Sequence, residues 1–112
     1  MILYTPPEIE LFERGFSPSS AHDEQGLYFS YEIGYSDGSL LVLQFSIDFG
    51  ICVVISNSNR IVAEVAISEP ITLHFQQWDG EQTIRVYSNS TDLRIHYNPN
   101  PAIHFCQQNR PN

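Results

Sequence analysis

Residues 27–56 decide the fold, and they read LYFSYEIGYSDGSLLVLQFSIDFGICVVIS. Apolar side chains recur at every second position from Leu27 to Tyr35, and again from Leu41 to Ile47. A period of two is the pattern of a half-buried β-strand. Asp37-Gly38 lies between the two runs and is typical of a tight hairpin turn. The stretch therefore predicts an antiparallel hairpin, followed by a more uniformly apolar strand over 51–56.

The alternating pattern continues beyond this stretch to residue 106. Five further apolar runs are separated by turn-forming residues, and they span 60–67, 71–78, 81–88, 92–97 and 102–106. Asp79-Gly80 is a second hairpin signal. The sequence therefore predicts a mainly β protein of seven or eight short strands. Such a chain folds as an antiparallel β-sandwich or as a small, partly open barrel, and the pattern does not choose between them.

The N-terminal segment predicts one short helix over 6–14. Thr5 can cap this helix, Pro6 suits its first position, and Glu8 lies three residues after Thr5 to complete a capping box. Gly15 is a helix-ending residue. Two turns of helix are marginal in isolation, so we expect the segment to dock on the strands.

Within this helix we expect Ile9 and Phe12 to face the core, and Glu10 and Glu13 to face solvent. The remaining organisation follows from composition. We expect a single domain over 1–112, with an acidic loop at 15–26, antiparallel strands over 27–106 and a loose polar tail at 107–112.

The charge is strongly acidic and unevenly placed. The chain has thirteen acids, five arginines and no lysine. Eight acids and one arginine lie in residues 1–50, whereas five acids and four arginines lie in residues 51–112. A field of one sign attracts a partner of the opposite sign and speeds its arrival. The chain lacks the basic footprint that nucleic-acid binding needs, so a basic protein is the expected partner.

The candidate partner-binding residues come from this acidic half. Tyr28 is among them because it shares a strand face with Glu32, and tyrosine beside carboxylate suits a protein interface. The full set is Glu10, Glu13, Asp23, Glu24, Tyr28, Glu32, Asp37 and Asp48. An acidic surface that serves only solubility explains the same charge, and this alternative stays open.

The sequence carries no motif for catalysis or for a metal. It contains no H-x-H, H-x-x-x-H or C-x-x-C spacing, and Cys52 and Cys106 alone cannot hold zinc. We therefore expect no enzymatic activity, no cofactor and no metal. The chain also shows no signal peptide and no apolar run long enough to cross a bilayer, so we expect a cytoplasmic protein.

A second group of residues forms an alternative ligand face. Strand parity places polar and aromatic side chains together if strands 71–78, 81–88 and 92–97 are neighbours; these side chains are His74, Trp78, Arg85, Tyr87, Arg94 and His96. Two imidazoles beside arginines also suit phosphodiester cleavage, but an acidic protein would repel an RNA substrate. A small ligand or carbohydrate, held by the aromatic rings, is the alternative function.

In size, in expected location, in its acidic segment from Glu8 to Asp48 and in its lack of a catalytic motif, the chain resembles bacterial immunity proteins. These proteins neutralise toxins in contact-dependent inhibition and polymorphic toxin systems. The resemblance implies a one-to-one heterodimer with a cognate toxin, often a nuclease whose catalytic cleft the inhibitor blocks. It carries over no site residues. A third possibility is an accessory subunit whose acidic face docks on a larger basic assembly.

Overall fold

The computed structural model describes residues 2–4, 7–18, 28–46, 50–68 and 70–105. These residues contain one helix and ten strands. The helix is α1 (Glu8–Glu13), and the strands are β1 (Ile2–Tyr4), β2 (Ser17–Pro18), β3 (Tyr28–Gly34), β4 (Ser39–Ser46), β5 (Gly50–Asn57), β6 (Arg60–Ile67), β7 (Ile71–Trp78), β8 (Glu81–Tyr87), β9 (Asp92–Asn98) and β10 (Ala102–Phe105). The mainly β class and the short N-terminal helix are confirmed.

The strands form two open sheets of five strands each. Sheet I has the order β1-β7-β8-β9-β10, and sheet II has the order β2-β3-β4-β5-β6. Neighbouring strands are antiparallel, except that β1 runs parallel to β7. Because the sheets are open, the sandwich is confirmed over the barrel. The eight predicted strands are present as β3 to β10.

Strands β1 and β2 were not predicted from the sequence. β2 has two residues and lies inside the segment predicted as a loop over 15–26, so that prediction is wrong at Ser17 and Pro18. Segments this short are too brief to show a period of two. The rest of that loop from residue 19, and the predicted tail at 107–112, lie outside the described residues.

One core lies between the two sheets. Sheet II contributes Leu41, Leu43 and Val53, and sheet I contributes Leu73 and Leu93, all of them at most 1% exposed. Each enclosed aliphatic side chain contributes about 1.5–3 kcal/mol through the hydrophobic effect. The alternation that predicted the strands is therefore the pattern of the core.

The predicted hairpin at Asp79-Gly80 is present between β7 and β8. Both residues adopt positive φ, 54° and 80° respectively. Positive φ at both central positions defines the type I′ turn, which matches the twist of the paired strands. Glycine accepts this conformation without steric cost at the second position.

Strand β6 lies at the edge of sheet II and departs from strict alternation. The register shifts where β6 faces Ile55 and Ser56, so that Ala63 pairs with Ile55 and Ile61 pairs with Ser56. The shift turns Ile61 away from the core, and its side chain is 63% exposed. An extra residue in one strand is a β-bulge, and it reverses the facing of the side chains beyond it.

Helix α1 begins later than predicted. Pro7 occupies the N-cap, no side chain caps the helix, and the first helical residue is Glu8. Thr5 and Pro6, the predicted cap and first position, lie outside the described residues. The predicted capping box is wrong, because Pro7 is the N-cap and Glu8 is therefore not three residues beyond it. The Glu8 carboxylate instead accepts a hydrogen bond from the Tyr31 hydroxyl of β3. The predicted stop is present, since Gly15 follows the helix with φ of 102°.

The facing of α1 also differs from the prediction. Leu11 is the buried residue at 4% exposure, whereas Ile9 is 60% exposed and Phe12 is 38% exposed. The expectation that Ile9 and Phe12 face the core is wrong. A helix this short docks one face only, and Phe16, which is 3% exposed just beyond the helix, supplies the second contact with the core.

Candidate functional site

Helix α1 closes one end of the sandwich. The Arg14 guanidinium donates a hydrogen bond to the Tyr97 hydroxyl at 3.2 Å and lies 4.2 Å from the centre of the Phe75 ring. The Phe16 ring packs against the Tyr97 ring, with centroids 5.4 Å apart. These contacts hold α1 against β7 and β9 of sheet I.

A second set of contacts joins α1 to sheet II. The Tyr31 hydroxyl donates a hydrogen bond to the Glu8 carboxylate, and the Phe12 and Tyr31 rings meet edge to face at 6.1 Å. Burial raises the pKa of Tyr31, and the hydrogen bond and charge of Glu8 raise it further. The phenol therefore stays protonated and holds α1 beside β3, the strand that carries Glu32.

Two of the predicted partner-binding residues line one cleft at this end. Glu10 and Glu13 of α1 border a cleft of about 490 Å³ together with Arg14, Gln82 and Asn98. Within the described part of the chain, neither carboxylate forms an ion pair. Two carboxylates and one guanidinium lie among these lining residues, so the cleft carries a net charge of −1.

Two more predicted residues lie on β3 and in the turn that follows it. Glu32 is half-buried on the outer face of β3, opposite Ser17. Asp37 is exposed in the β3–β4 turn, where its carboxylate accepts a hydrogen bond from the Ser39 amide at 2.8 Å. That backbone hydrogen bond lowers the pKa of Asp37, so the carboxylate stays charged. The turn thus holds the Asp37 carboxylate in one position through this hydrogen bond.

The turn is connected to the α1 end through the core. The Tyr35 hydroxyl donates a hydrogen bond to the Tyr97 carbonyl at 2.7 Å, and the Tyr97 hydroxyl accepts from Arg14. Asp23, Glu24 and Asp48 lie outside the described residues, as does the side chain of Tyr28. Of the predicted partner-binding residues, the structure therefore brings Glu10 and Glu13 together at one cleft. Glu8 lies on another side of α1, where its carboxylate contacts Tyr31.

The alternative ligand face is assembled on the outer surface of sheet I. The register places Arg85 opposite both His74 and Arg94, and it places His96 opposite Thr83. The six predicted side chains therefore share one face of three adjacent strands, and they are His74, Trp78, Arg85, Tyr87, Arg94 and His96. We call this surface the outer face of sheet I.

One half of this face is bonded within itself. The Arg85 guanidinium forms two hydrogen bonds to the Asp92 carboxylate, at 3.0 and 2.8 Å, and lies 4.6 Å from the centre of the Tyr87 ring. The His74 and Tyr87 rings stack at 5.8 Å, with His74 Nε2 3.1 Å from the Tyr87 hydroxyl oxygen. A bidentate pair of this kind fixes both side chains.

The other half is centred on Trp78. The Arg94 guanidinium lies 4.6 Å from the centre of its ring, and the His96 and His104 rings lie at 5.6 and 5.0 Å. His96 is buried, and its Nδ1 lies 3.5 Å from a Glu81 carboxylate oxygen. Site prediction missed His104 and Glu81. His104 lies two residues after Ala102 and so shares its strand face. Because Ala102 pairs with His96 and His104 pairs with Arg94, this parity places His104 on the outer face of sheet I.

This face presents ordered aromatic rings and guanidinium groups whose partners are mostly one another. A flat apolar or sugar surface can stack on such rings. Among the described residues, no group of three or more metal-ligating side chains converges on one point. In the same part of the chain, no helix has both the length and the apolar character to cross a bilayer.

Comparison with known proteins gives the fold. No protein-family model matches the chain, and no curated relative matches it. A solved structure shares the fold with a TM-score of 0.69 and 16% sequence identity, covering 90% of this chain and 93% of the other. That chain belongs to a contact-dependent growth inhibition toxin–immunity protein complex from Klebsiella pneumoniae 342. At this identity the likeness is one of fold.

Proposed function

We propose that this chain is an immunity protein that binds a cognate toxin and blocks the toxin's basic active site. The observation that carries the proposal is the acidic end at α1, where Glu10 and Glu13 border an open cleft without ion pairs in the described part of the chain. The fold shared with a chain of a toxin–immunity protein complex supports the same function.

A nuclease is the toxin that this charge suits best. An active site that binds phosphates is basic, and carboxylates on an inhibitor can occupy the place of those phosphates. The net charge of −8 speeds encounter with such a surface, and the contacts made on docking then set the lifetime of the complex. Under this proposal the chain acts in the cytoplasm, as a one-to-one complex, without catalysis and without a cofactor.

The experiment uses the toxin domain encoded beside this chain. An immunity protein is normally encoded next to its toxin, so the neighbouring gene product is purified and assayed for RNA and DNA cleavage. We expect cleavage to stop at one equivalent of this chain, with a one-to-one complex in size-exclusion chromatography. Undiminished cleavage at excess inhibitor, or a neighbouring product that neither cleaves nor binds, contradicts the proposal.

A second candidate function is ligand binding by the outer face of sheet I. It is favoured by the convergence of all six predicted residues on that face, around the Trp78 ring. Trp78 is the only tryptophan of the chain, so its fluorescence reports on this face. A neutral carbohydrate that quenches this fluorescence with a salt-independent affinity supports the candidate. A panel of sugars without effect argues against it.

A further inference from the structure

Helix α1 presents two apolar side chains at the middle of its exposed surface. At about 100° per residue, Leu11 and Ile9 point about 200° apart, on opposite sides of the helix. Leu11 is 4% exposed and Ile9 is 60% exposed, as this geometry requires. The outward arc runs in the order Glu8, Phe12, Ile9, Glu13 and Glu10. Phe12 and Ile9 therefore lie next to each other on this arc, with carboxylates on both sides of them.

The attachment of α1 to the sandwich does not use Ile9. The helix is held by Leu11 in the core, by Arg14 on Tyr97 and Phe75, and by Glu8 on Tyr31. One edge of the Phe12 ring also packs on Tyr31, and 38% of this residue stays exposed. A polar side chain at position 9 would serve folding equally well. An apolar group exposed within a charged rim is the composition of a protein-contact site, with a dry centre and a polar edge.

We infer that Ile9 and Phe12 are the apolar anchors of the partner interface. They seat in an apolar depression on a basic protein, and basic side chains around that depression pair with Glu10 and Glu13. This inference rests on the proposed function and adds the residues that hold the complex once it has formed. It assigns an interface role to two residues that sequence reasoning placed in the core.

The charges around Ile9 and Phe12 indicate which class of partner can bind there. In a symmetric dimer of this chain, Glu8, Glu10 and Glu13 of one copy would face those of the other, and like charges disfavour that contact. Nucleic acid and anionic lipid surfaces meet the same repulsion. A basic protein surface with an apolar depression is the occupant that satisfies both the carboxylates and the exposed apolar groups.

The carboxylates and the apolar anchors act at different stages of binding. Charge acts over several ångströms before contact and raises the association rate. Ile9 and Phe12 act only in contact, by leaving water, so they lower the dissociation rate. The two contributions are therefore separable by experiment.

The test uses two synthetic peptides with equal numbers of lysines as probes. One alternates lysine with leucine, and the other carries serine in place of each leucine. Both are titrated into isotopically labelled protein and followed by amide chemical shifts. We expect both peptides to shift α1 amides and the leucine peptide to bind roughly tenfold more tightly, a typical effect of one apolar anchor.

The variant Ile9→Ser should reduce the tenfold preference for the leucine peptide, because only Phe12 then remains as an apolar anchor, and should leave the affinity for the serine peptide unchanged. Since Ile9 is 60% exposed, its removal leaves no cavity, and the thermal unfolding midpoint should match the wild type. The matched control is Ile61→Ser, because Ile61 is equally exposed at 63% but lies on β6. This control should keep the full preference.

The outcomes separate this inference from the proposed function. Equal affinities of the two peptides at α1, or a preference that Ile9→Ser does not reduce, overturn the anchor assignment and leave the acidic site standing. If neither peptide shifts the α1 amides, the acidic site itself is wrong, and both the inference and the proposed function lose their support.

Discussion

The α1 end and the outer face of sheet I both hold polar and aromatic side chains, but they differ in how these groups are satisfied. On sheet I, Arg85 is paired with Asp92 and Arg94 lies on Trp78. At the α1 end, Glu10 and Glu13 have no ion pair within the described residues, and Ile9 is exposed. The charged groups of the first arrangement contact other groups of the same face, whereas the second leaves interactions for a partner to make.

This difference explains why convergence of side chains is weak support for a binding site. An amphipathic strand with a period of two places all its polar side chains on one face of the sheet. The proximity of histidines and arginines on that face therefore follows from the fold alone. The groups on the outer face of sheet I then stabilise the sheet through cross-strand pairs. Exposed apolar groups among carboxylates that form no ion pair with a described residue do not follow from the fold, and they point more directly to a partner.

The largest expected effect comes from Leu11→Ala. Removing a buried leucine should lower the free energy of unfolding by about 2–5 kcal/mol, since a cavity remains where α1 meets the core. Denaturant unfolding measures this change. Ile9→Ala on the same helix should change the free energy by less than about 0.5 kcal/mol. Similar losses for the two variants would show that α1 is not docked through Leu11.

The next effect is kinetic and concerns the acidic end. Changing Glu10, Glu13, Asp23 and Glu24 to lysine should slow association with the toxin by roughly tenfold or more at low salt, with the fold intact. Surface plasmon resonance over a salt series measures the rate. For a comparison at equal charge, Glu13→Lys is set against Glu64→Lys, because Glu64 is also exposed but lies on β6. Equal association rates for these two variants would remove the special role of α1.

A smaller effect is expected on sheet I. Arg85→Ala leaves the Asp92 carboxylate without its bidentate partner, and the free energy of unfolding should fall by about 1 kcal/mol. Inhibition of the toxin should be unchanged. The exposed Arg60 of β6 gives the control variant Arg60→Ala, with no measurable loss. Loss of inhibition by folded Arg85→Ala protein would move the interface to the outer face of sheet I.

The smallest effect concerns Tyr35, whose phenol links the β3–β4 turn to the α1 end. Burial raises the pKa of Tyr35 to about 12, with a further contribution from Tyr97. Between the usual pKa of 10.0 and about 12, the folded state holds a proton that the unfolded state has lost, so stability falls as pH rises through this range.

Tyr35→Phe should make this alkaline loss of stability shallower, because the titrating group is gone. It should also cost about 1 kcal/mol at neutral pH, since the Tyr97 carbonyl loses a donor. Urea unfolding at a series of pH values gives both numbers. A variant with the same pH dependence as the wild type would show that the Tyr35 hydroxyl is not held by the core.

The strands were predictable from sequence because the local signal is repeated. The alternation from Leu41 to Phe45 and the turn at Asp79-Gly80 depend only on near neighbours in the chain. The choice of sandwich over barrel was not predictable, since it depends on which strands end as edges. The bulge that exposes Ile61 could not be predicted either, because a register shift leaves no trace in the order of apolar and polar residues along β6.

The candidate site was only partly predictable. The sequence identified Glu10 and Glu13 as solvent-facing because charge rarely enters a core. It misplaced Ile9 and Phe12, since in a six-residue helix three apolar residues compete for one buried face. Leu11 is the one that is buried, because of its contacts with strands that are distant in the sequence. The capping role predicted for Glu8 was wrong for a similar reason. Its observed hydrogen-bond partner, Tyr31, lies 23 residues away in the sequence.

The most direct test of the central claim is a paired capture experiment at low salt. Wild-type protein and the Glu10→Lys, Glu13→Lys variant are immobilised, exposed to lysate of the source cells, and washed with about 0.5 M salt, where the Debye length is a few ångströms. Mass spectrometry identifies the released proteins. We expect one basic toxin to be released from the wild type and to be absent from the variant. A wild-type wash without a basic protein, or equal capture by the variant, would contradict it.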